Sequence, residues 1–392
     1  MRALAALILT GSSLFITGCH STGSPTAASA AEPTQPAANR TPLAGMPPVI
    51  DPANIYSETA AGKLSPTVKD YPSRIYVPNS GSNTVDIIDP ATYKIIGSFP
   101  VGRQPQHVTP SWDLKSLWAL NDLGDSLTRI DPRTGAKGET IKVMDPYNMY
   151  YTPDGKYAIV VAERLKRLDF YDAQTMKLQY SMPVTCRGVD HMDFTADGRY
   201  AVASCEFSSE LIKFDVAERK VVGKLAVDKG GMPQDVKTSP DGKVMYVADM
   251  MADGAYIIDP EKFERIGFVP TGKGAHGLYP SRDAKVLYIT NRGTHEHEGG
   301  FNAEGSVSVL DFATRKVIKT WNLPGHSTPD MGGVSADGAT LWLAGRYHHE
   351  VYAINTEDGS LRARIKVGKG PHGLCVYPQP GRYSLGHTGI LR

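Results

Sequence analysis

The histidines are where this sequence offers chemistry. His107, His191, His276 and His372 each stand a few residues before the turn that takes the place of a Pro-Asp-Gly in its repeat, and after a connection containing Gly or Pro. Counting back from the equivalent turns puts Asn148, Asp235, and Asp330 or Met331 at the same position. Four imidazoles with one or two carboxylates around one channel mouth would suit a transition metal of the copper or zinc kind. Neutral rings would be its ligands, and Asp235 or Asp330 a further ligand or a partner to a ligating ring. A repeating chain also produces rings of like residues wherever one corner is reused, so the same positions read as the ordinary start of a strand, as in Pro371-His372-Gly373. Asn148 and Asp235 are the departures that a purely structural corner would not require.

A second group lies in the run NRGTHEHEGGFNAEG, where His295 and His297 alternate with Glu296 and Glu298. Alternate residues of an extended segment share a side, which would make half of a metal site; the same composition describes a surface flap. Arg292 and Arg346 fall in equivalent connections and could grip an anion or pair with acids across repeats. Met232, Met250, Met251 and Met331 add thioethers, a ligand type copper accepts beside imidazole, although methionine fills cores as readily. There is no G-x-S-x-G, H-E-x-x-H, phosphate-cradling Gly loop or C-x-x-C-H, which weakens a catalytic reading without removing it.

The elements that must hold these residues are short strands. Residues 231–271 read as four of them, Asp235 to Thr238, Val244 to Ala248, Ala255 to Ile258 and Arg265 to Val269, with turns at Pro240-Asp241-Gly242 and Met-Ala-Asp-Gly. Such a unit cannot bury both faces alone and calls for neighbours of its own kind. Its third strand ends on an Asp or Asn that recurs as Asp89, Asp131, Asp172, Asp215, Asp259, Asp311 and Asn355, at spacings of 42, 41, 43, 44, 52 and 44. The long spacing contains the His295 insertion. The first repeat lacks an innermost strand and the chain ends with a surplus one, PHGLCVYP. If that strand fills the vacancy, the fold is an all-β, seven-bladed β-propeller with its first blade closed by the C-terminal strand.

Outside the repeats, Arg2, the apolar residues Leu4 to Leu14 and Ile16-Thr17-Gly18-Cys19 read as a lipoprotein-type signal, residues 1–19, with Cys19 as the lipidated residue. Residues 20–48, rich in Ser, Thr, Ala and Pro, read as a disordered tether, 49–72 as a lead-in segment and 73–392 as the propeller. The expected location is the extracytoplasmic face of the cell membrane, or the secreted fraction if Cys19 is not modified. Export permits a disulfide. Cys186 and Cys205 bracket a hairpin turning at Asp197-Gly198 and are expected to pair, leaving Cys375 as a small buried hydrophobe. Lys and Arg number 42 against 41 Asp and Glu, so no net field favours nucleic acid. A monomer is expected.

The P-D-G-K turns followed by YV-type and V-x-V-I-D strands resemble the YVTN family of bacterial extracytoplasmic propellers, from Ser73 to about Tyr377. The runs DPYNMYYTPDGKYAIVVAERLKRLDF, GGMPQDVKTSPDGKVMYVADMMADG and PQPGRYSLGHTGILR are similar to an actinobacterial lipoprotein group. The resemblance implies fold and address, and little about chemistry. The expected role is a membrane-anchored module that binds a ligand or protein partner through its top face, the face shared by the candidate residues. The alternative is a metal-dependent enzyme using the histidine ring.

Overall fold

The computed structural model describes residues 41–296 and 299–392. The signal segment, Cys19, the tether as far as residue 40, and His297 with Glu298 lie outside the described residues.

The chain forms seven four-stranded antiparallel sheets. Their inner and second strands are buried; the second strands read as nearly unbroken apolar runs, such as YAIVVA at Tyr157–Ala162, whereas the inner strands carry polar residues, as PQHVTP does at Pro105–Pro110. The outer strands alternate, as KVVGKLA does at Lys220–Ala226. In the repeat read above, the strands run Pro233–Thr238, Met245–Asp249, Gly254–Asp259 and Glu264–Pro270, within two residues of expectation.

Two side-chain devices repeat from blade to blade and explain the sequence period. At the turn after the inner strand, Ser239 Oγ donates to Asp241 Oδ1, which also accepts from the Lys243 N–H, while Gly242 takes a left-handed conformation. Thr152 with Asp154, Thr195 with Asp197, Ser281 with Asp283 and Ser335 with Asp337 repeat the bond. The aspartates that mark the period hold the next turn: Asp89, Asp172 and Asp311 accept from the hydroxyls of Thr92, Thr175 and Thr314.

Closure is as the complementary ends require. Cys375–Tyr377 pairs antiparallel with Arg74–Asn79, matching Arg74 with Tyr377, Ile75 with Val376 and Tyr76 with Cys375. After this strand the chain passes under the ring and turns into the central channel. Ser384 N–H donates to Trp112 O, Tyr151 N–H to Leu385 O and His387 N–H to Met149 O, so the tail climbs the inner strand of the third blade. Gly386 lies flush against that strand; a Cβ there would stand 2.5 Å from Met149 O. The tail then turns back to Arg392, whose guanidinium meets Asp193 at 3.0 Å.

The lead-in segment covers the same end of the channel. Ile55 N–H donates to Pro240 O, Tyr56 Oη to Thr238 O and Arg382 to Pro48 O. Residues 41–48, read from composition as the end of the tether, are packed here: Leu43 is buried and bonds Asp197 O. Leu43 and Met46 are the apolar residues that a Pro-rich composition conceals.

Cys186 and Cys205 form a disulfide across the open end of their hairpin, with Cα atoms 5.9 Å apart. Cys375 is a buried free thiol. Closing a 19-residue separation restricts the unfolded chain, and replacing both cysteines by alanine should lower the unfolding free energy by about 3 kcal/mol. Urea unfolding of the oxidised protein and the double variant measures this; coincident curves would show that the bridge does not stabilise the fold.

Candidate functional site

The connections that enter each inner strand share one face with those between second and third strands. Backbone bonds of one pattern recur around it, including Asp122 N–H to Gln104 O, Glu206 N–H to Gly188 O, Met250 N–H to Met232 O and Arg292 N–H to Gly274 O. On this top face the inner strands begin with an irregularity. Pairing shifts between Pro105 and His107, Val189 and Met192, Pro233 and Val236, Ala275 and Leu278, and Pro329 and Gly332. An extra residue in an edge strand leaves the ladder and re-aims its side chain. The residues freed in this way include His191, Asp235, His276 and Asp330.

All seven positions read from the sequence are buried: His107, Asn148, His191, Asp235, His276, Asp330 and His372. They line the interior of the channel as a packed layer. Ring centroids are 4.9 Å apart for His107 and His372, 5.7 Å for His107 and His191, 6.2 Å for His191 and His276, and 6.0 Å for His276 and His372. Gly373 permits this closeness, because a Cβ there would lie 2.0 Å from the His107 ring. The glycine of the Pro-His-Gly corner is thus required by the neighbouring imidazole.

A fifth ring, which sequence reasoning missed, comes from the tail. His387 lies 4.9 Å from His191 and 5.2 Å from His107 by centroids and stacks on Tyr150. Asn148 Nδ2 is 3.0 Å from Nδ1 of both His191 and His387, and its Oδ1 accepts from Met149 N–H. One signal for His387 was available: Tyr383, Leu385, Ile390 and Leu391 follow the last strand with no further strand to join.

The charged residues have separate tasks. Asp330 accepts from Arg292 Nε and Nη2 at 3.0 and 2.8 Å and from His372 Nδ1 at 2.8 Å; His276 Nδ1 is 3.1 Å away and Arg346 Nη1 3.7 Å. Burial would raise this carboxyl, but the guanidinium groups of Arg292 and Arg346 outweigh it and hold it below its ordinary value. Asp235 instead ties blades together, accepting from the N–H groups of Val236 and Leu278; burial nevertheless pushes it up to about 6. Beside His191 Nε2, at 3.2 Å, Asp190 is raised well above the carboxylate range by burial and by Glu206 and Glu163.

Burial keeps the rings neutral. It lowers His107 to about 4, and His191, His276, His372 and His387 well below their ordinary value. Neutral imidazole is the form that ligates metal.

His295 is not part of this layer. Its Nε2 meets Asp253 at 2.7 Å on the insertion, where it is partly exposed. Of the thioethers, Met331 Sδ accepts from Tyr279 Oη, Met250 Sδ faces Arg292 Nη1, and Met251 is exposed.

Removing one partner of a buried ion pair strands the other charge. Asp330→Ala should destabilise the protein by about 3–5 kcal/mol, by leaving Arg292 buried without its counter-charge, whereas Arg346→Ala should have a smaller effect because Arg346 is partly exposed. Chemical denaturation of the two variants checks the order; equal losses would contradict the role assigned to Asp330.

Comparison with known proteins places this architecture. The family described as YNCE-like beta-propeller matches residues 34–381. The protein YncE of Salmonella typhi is 24% identical over 281 residues, covering 66% of this chain and 73% of that one. Antigen Lp49 of Leptospira interrogans is 21% identical, covering 73% of this chain and 66% of its own. Among solved structures, the periplasmic gluconolactonase PpgL of Pseudomonas aeruginosa superposes with a TM-score of 0.63 at 18% identity, over 79% of this chain and 99% of that one. At this identity the likeness is one of fold.

Proposed function

The chain belongs to the YNCE-like β-propeller family, and on that premise we propose that it is an extracytoplasmic module, anchored through Cys19, that docks a protein partner on its top face. The observation that carries the reading is where large apolar side chains remain in water. Met144, Leu165, Phe207, Met251 and Phe301 are 36%, 43%, 39%, 41% and 62% exposed. All five lie on top-face connections, from the entrance of the third blade through the sixth. Of the other exposed apolar residues, Ile50 lies on the lead-in segment, and Ile95, Leu178, Val222, Ile266 and Ile318 lie on outer strands and are spread around the rim. Scattered single residues need no explanation, whereas a set on neighbouring loops marks a docking surface.

The opposite end of the channel favours the same reading. It is covered by the chain's own lead-in segment and tail, which leaves the top face for a partner. A small organic ligand inside the channel is disfavoured, because the layer of rings there is packed. The lipoprotein assignment and the resemblance to an actinobacterial lipoprotein group belong to this proposal and supply its address. A top face that binds and an anchor that fixes the module at the membrane need no reaction chemistry.

A photo-crosslinking residue placed at Met251 or Phe301 in living cells of the native host should capture one discrete partner, and the same residue at Ile266 on the rim should not. Met251→Asp combined with Phe301→Asp should abolish capture from Leu165. Capture of equal strength from the rim, or none from the top face, would sink the reading. Labelling of the protein should also appear in the membrane fraction and be lost in Cys19→Ala.

A further inference from the structure

Five imidazoles meet in the channel, and three of them have a spare nitrogen with nothing to bond. The Nε2 atoms of His107, His372 and His387 are buried without a hydrogen-bond partner, while His191 Nε2 and His276 Nδ1 have only a carboxylate beside them, Asp190 at 3.2 Å and Asp330 at 3.1 Å. Buried polar atoms are normally satisfied, and a group of orphans in one place needs a cause. Three of these residues are close enough for a common ion: one ring nitrogen from each of His107, His191 and His387 lies within 4.8 Å of the other two. Nitrogens sharing a tetrahedral ion at about 2.0–2.1 Å stand roughly 3.4 Å apart, so the rings need to close by about 1.5 Å at most.

The remaining nitrogens are oriented by the protein. Tyr147 O can only accept, so His107 Nδ1, at 2.9 Å, carries the proton and Nε2 carries the lone pair. Asp330 does the same for His372 at 2.8 Å. Asn148 Nδ2 donates to Nδ1 of both His191 and His387, which puts the proton of each neutral ring on Nε2, where Asp190 lies against that of His191; ligation through Nε2 requires the Asn148 amide to turn and present its oxygen, which lies 3.4 Å from His387 Nδ1. Carbonyl, carboxylate and amide partners of this kind fix the rotation and tautomer of ligating histidines.

We propose that His107, His191 and His387 form a transition-metal centre of the copper or zinc class, completed only when the C-terminal tail occupies the channel. His372, 4.9 Å from His107 by ring centroids, is the nearest further donor. An all-imidazole set suits these metals and not calcium or magnesium. The site differs from the ring read from the sequence: His276 is turned toward Asp330, and its place is taken by a residue of the tail. The centre also ties the tail to the second and fourth blades, so metal binding and tail docking become one equilibrium. Its ligands are separate from the apolar residues of the top face, and either proposal stands if the other fails.

The full-length protein, stripped with chelator and dialysed, would be titrated with Cu(II) and with Zn(II) by calorimetry, with bound metal counted by mass spectrometry. One equivalent of at least one of the two metals should bind, and binding should raise the melting temperature. His107→Gln and His387→Gln should each weaken binding at least 100-fold, while His295→Gln and Met251→Asp should leave it unchanged. Should either glutamine variant fail to fold, electron paramagnetic resonance of the Cu(II)-loaded wild-type protein decides the matter, since three imidazole nitrogens should couple to the copper. Absence of a stoichiometric ion, undiminished binding in both folded variants, or a copper signal lacking imidazole nitrogen would overturn the assignment.

Discussion

A carboxylate held away from water must find its compensation in the protein, and Asp330 draws it from several directions at once. Arg292 supplies two bonds and His372 one, with His276 and Arg346 close by. An isolated buried charge would neutralise itself by changing protonation, but here the guanidinium groups keep it ionised. That charge orients His372 and His276. Arg292 is held in turn between Asp330 and the Met250 sulfur. The contacts join three consecutive blades and the closing strand, so the geometry of the channel depends on one residue freed from its ladder by a bulge.

The two ends of the chain do the rest. A ring of repeats has a seam, and here the seam is closed by a three-residue strand from the C-terminus. Three pairs of residues are a short join, and the chain reinforces it by continuing. The tail fills the channel, Arg392 pairs with Asp193, and the lead-in segment lies across both. Tail and blades thereby bury a layer of neutral imidazoles whose unmet nitrogens are the strongest chemical feature of the described residues.

Particular residues show how far the sequence could be read. The marker aspartates were legible because each makes a local bond to a threonine or backbone N–H within three residues, and local bonds leave a period in the chain. The Cys186 and Cys205 pairing was legible for a similar reason, since a hairpin fixes the distance between its ends. Asp235 was harder: its position matched the histidines, but its bonds run to the next blade, where it serves the sheet. His295 looked like a ligand by spacing, yet its partner is Asp253 on the neighbouring connection. Residues 41–48 looked like linker, because two apolar residues among prolines carry too weak a pattern to announce that they pack.

Architecture, blade count, closure and the list of four channel histidines were determined by the sequence itself, through periodicity and short-range bonds that survive without knowledge of the fold. Which of those histidines approach one another closely, and that a fifth joins them, was decided only by the tertiary structure. His387 meets Asn148 across 239 residues, and no local pattern records a contact of that separation. It exists because the ring closes and the tail, with apolar residues and no strand to join, packs along the inner strand of the third blade.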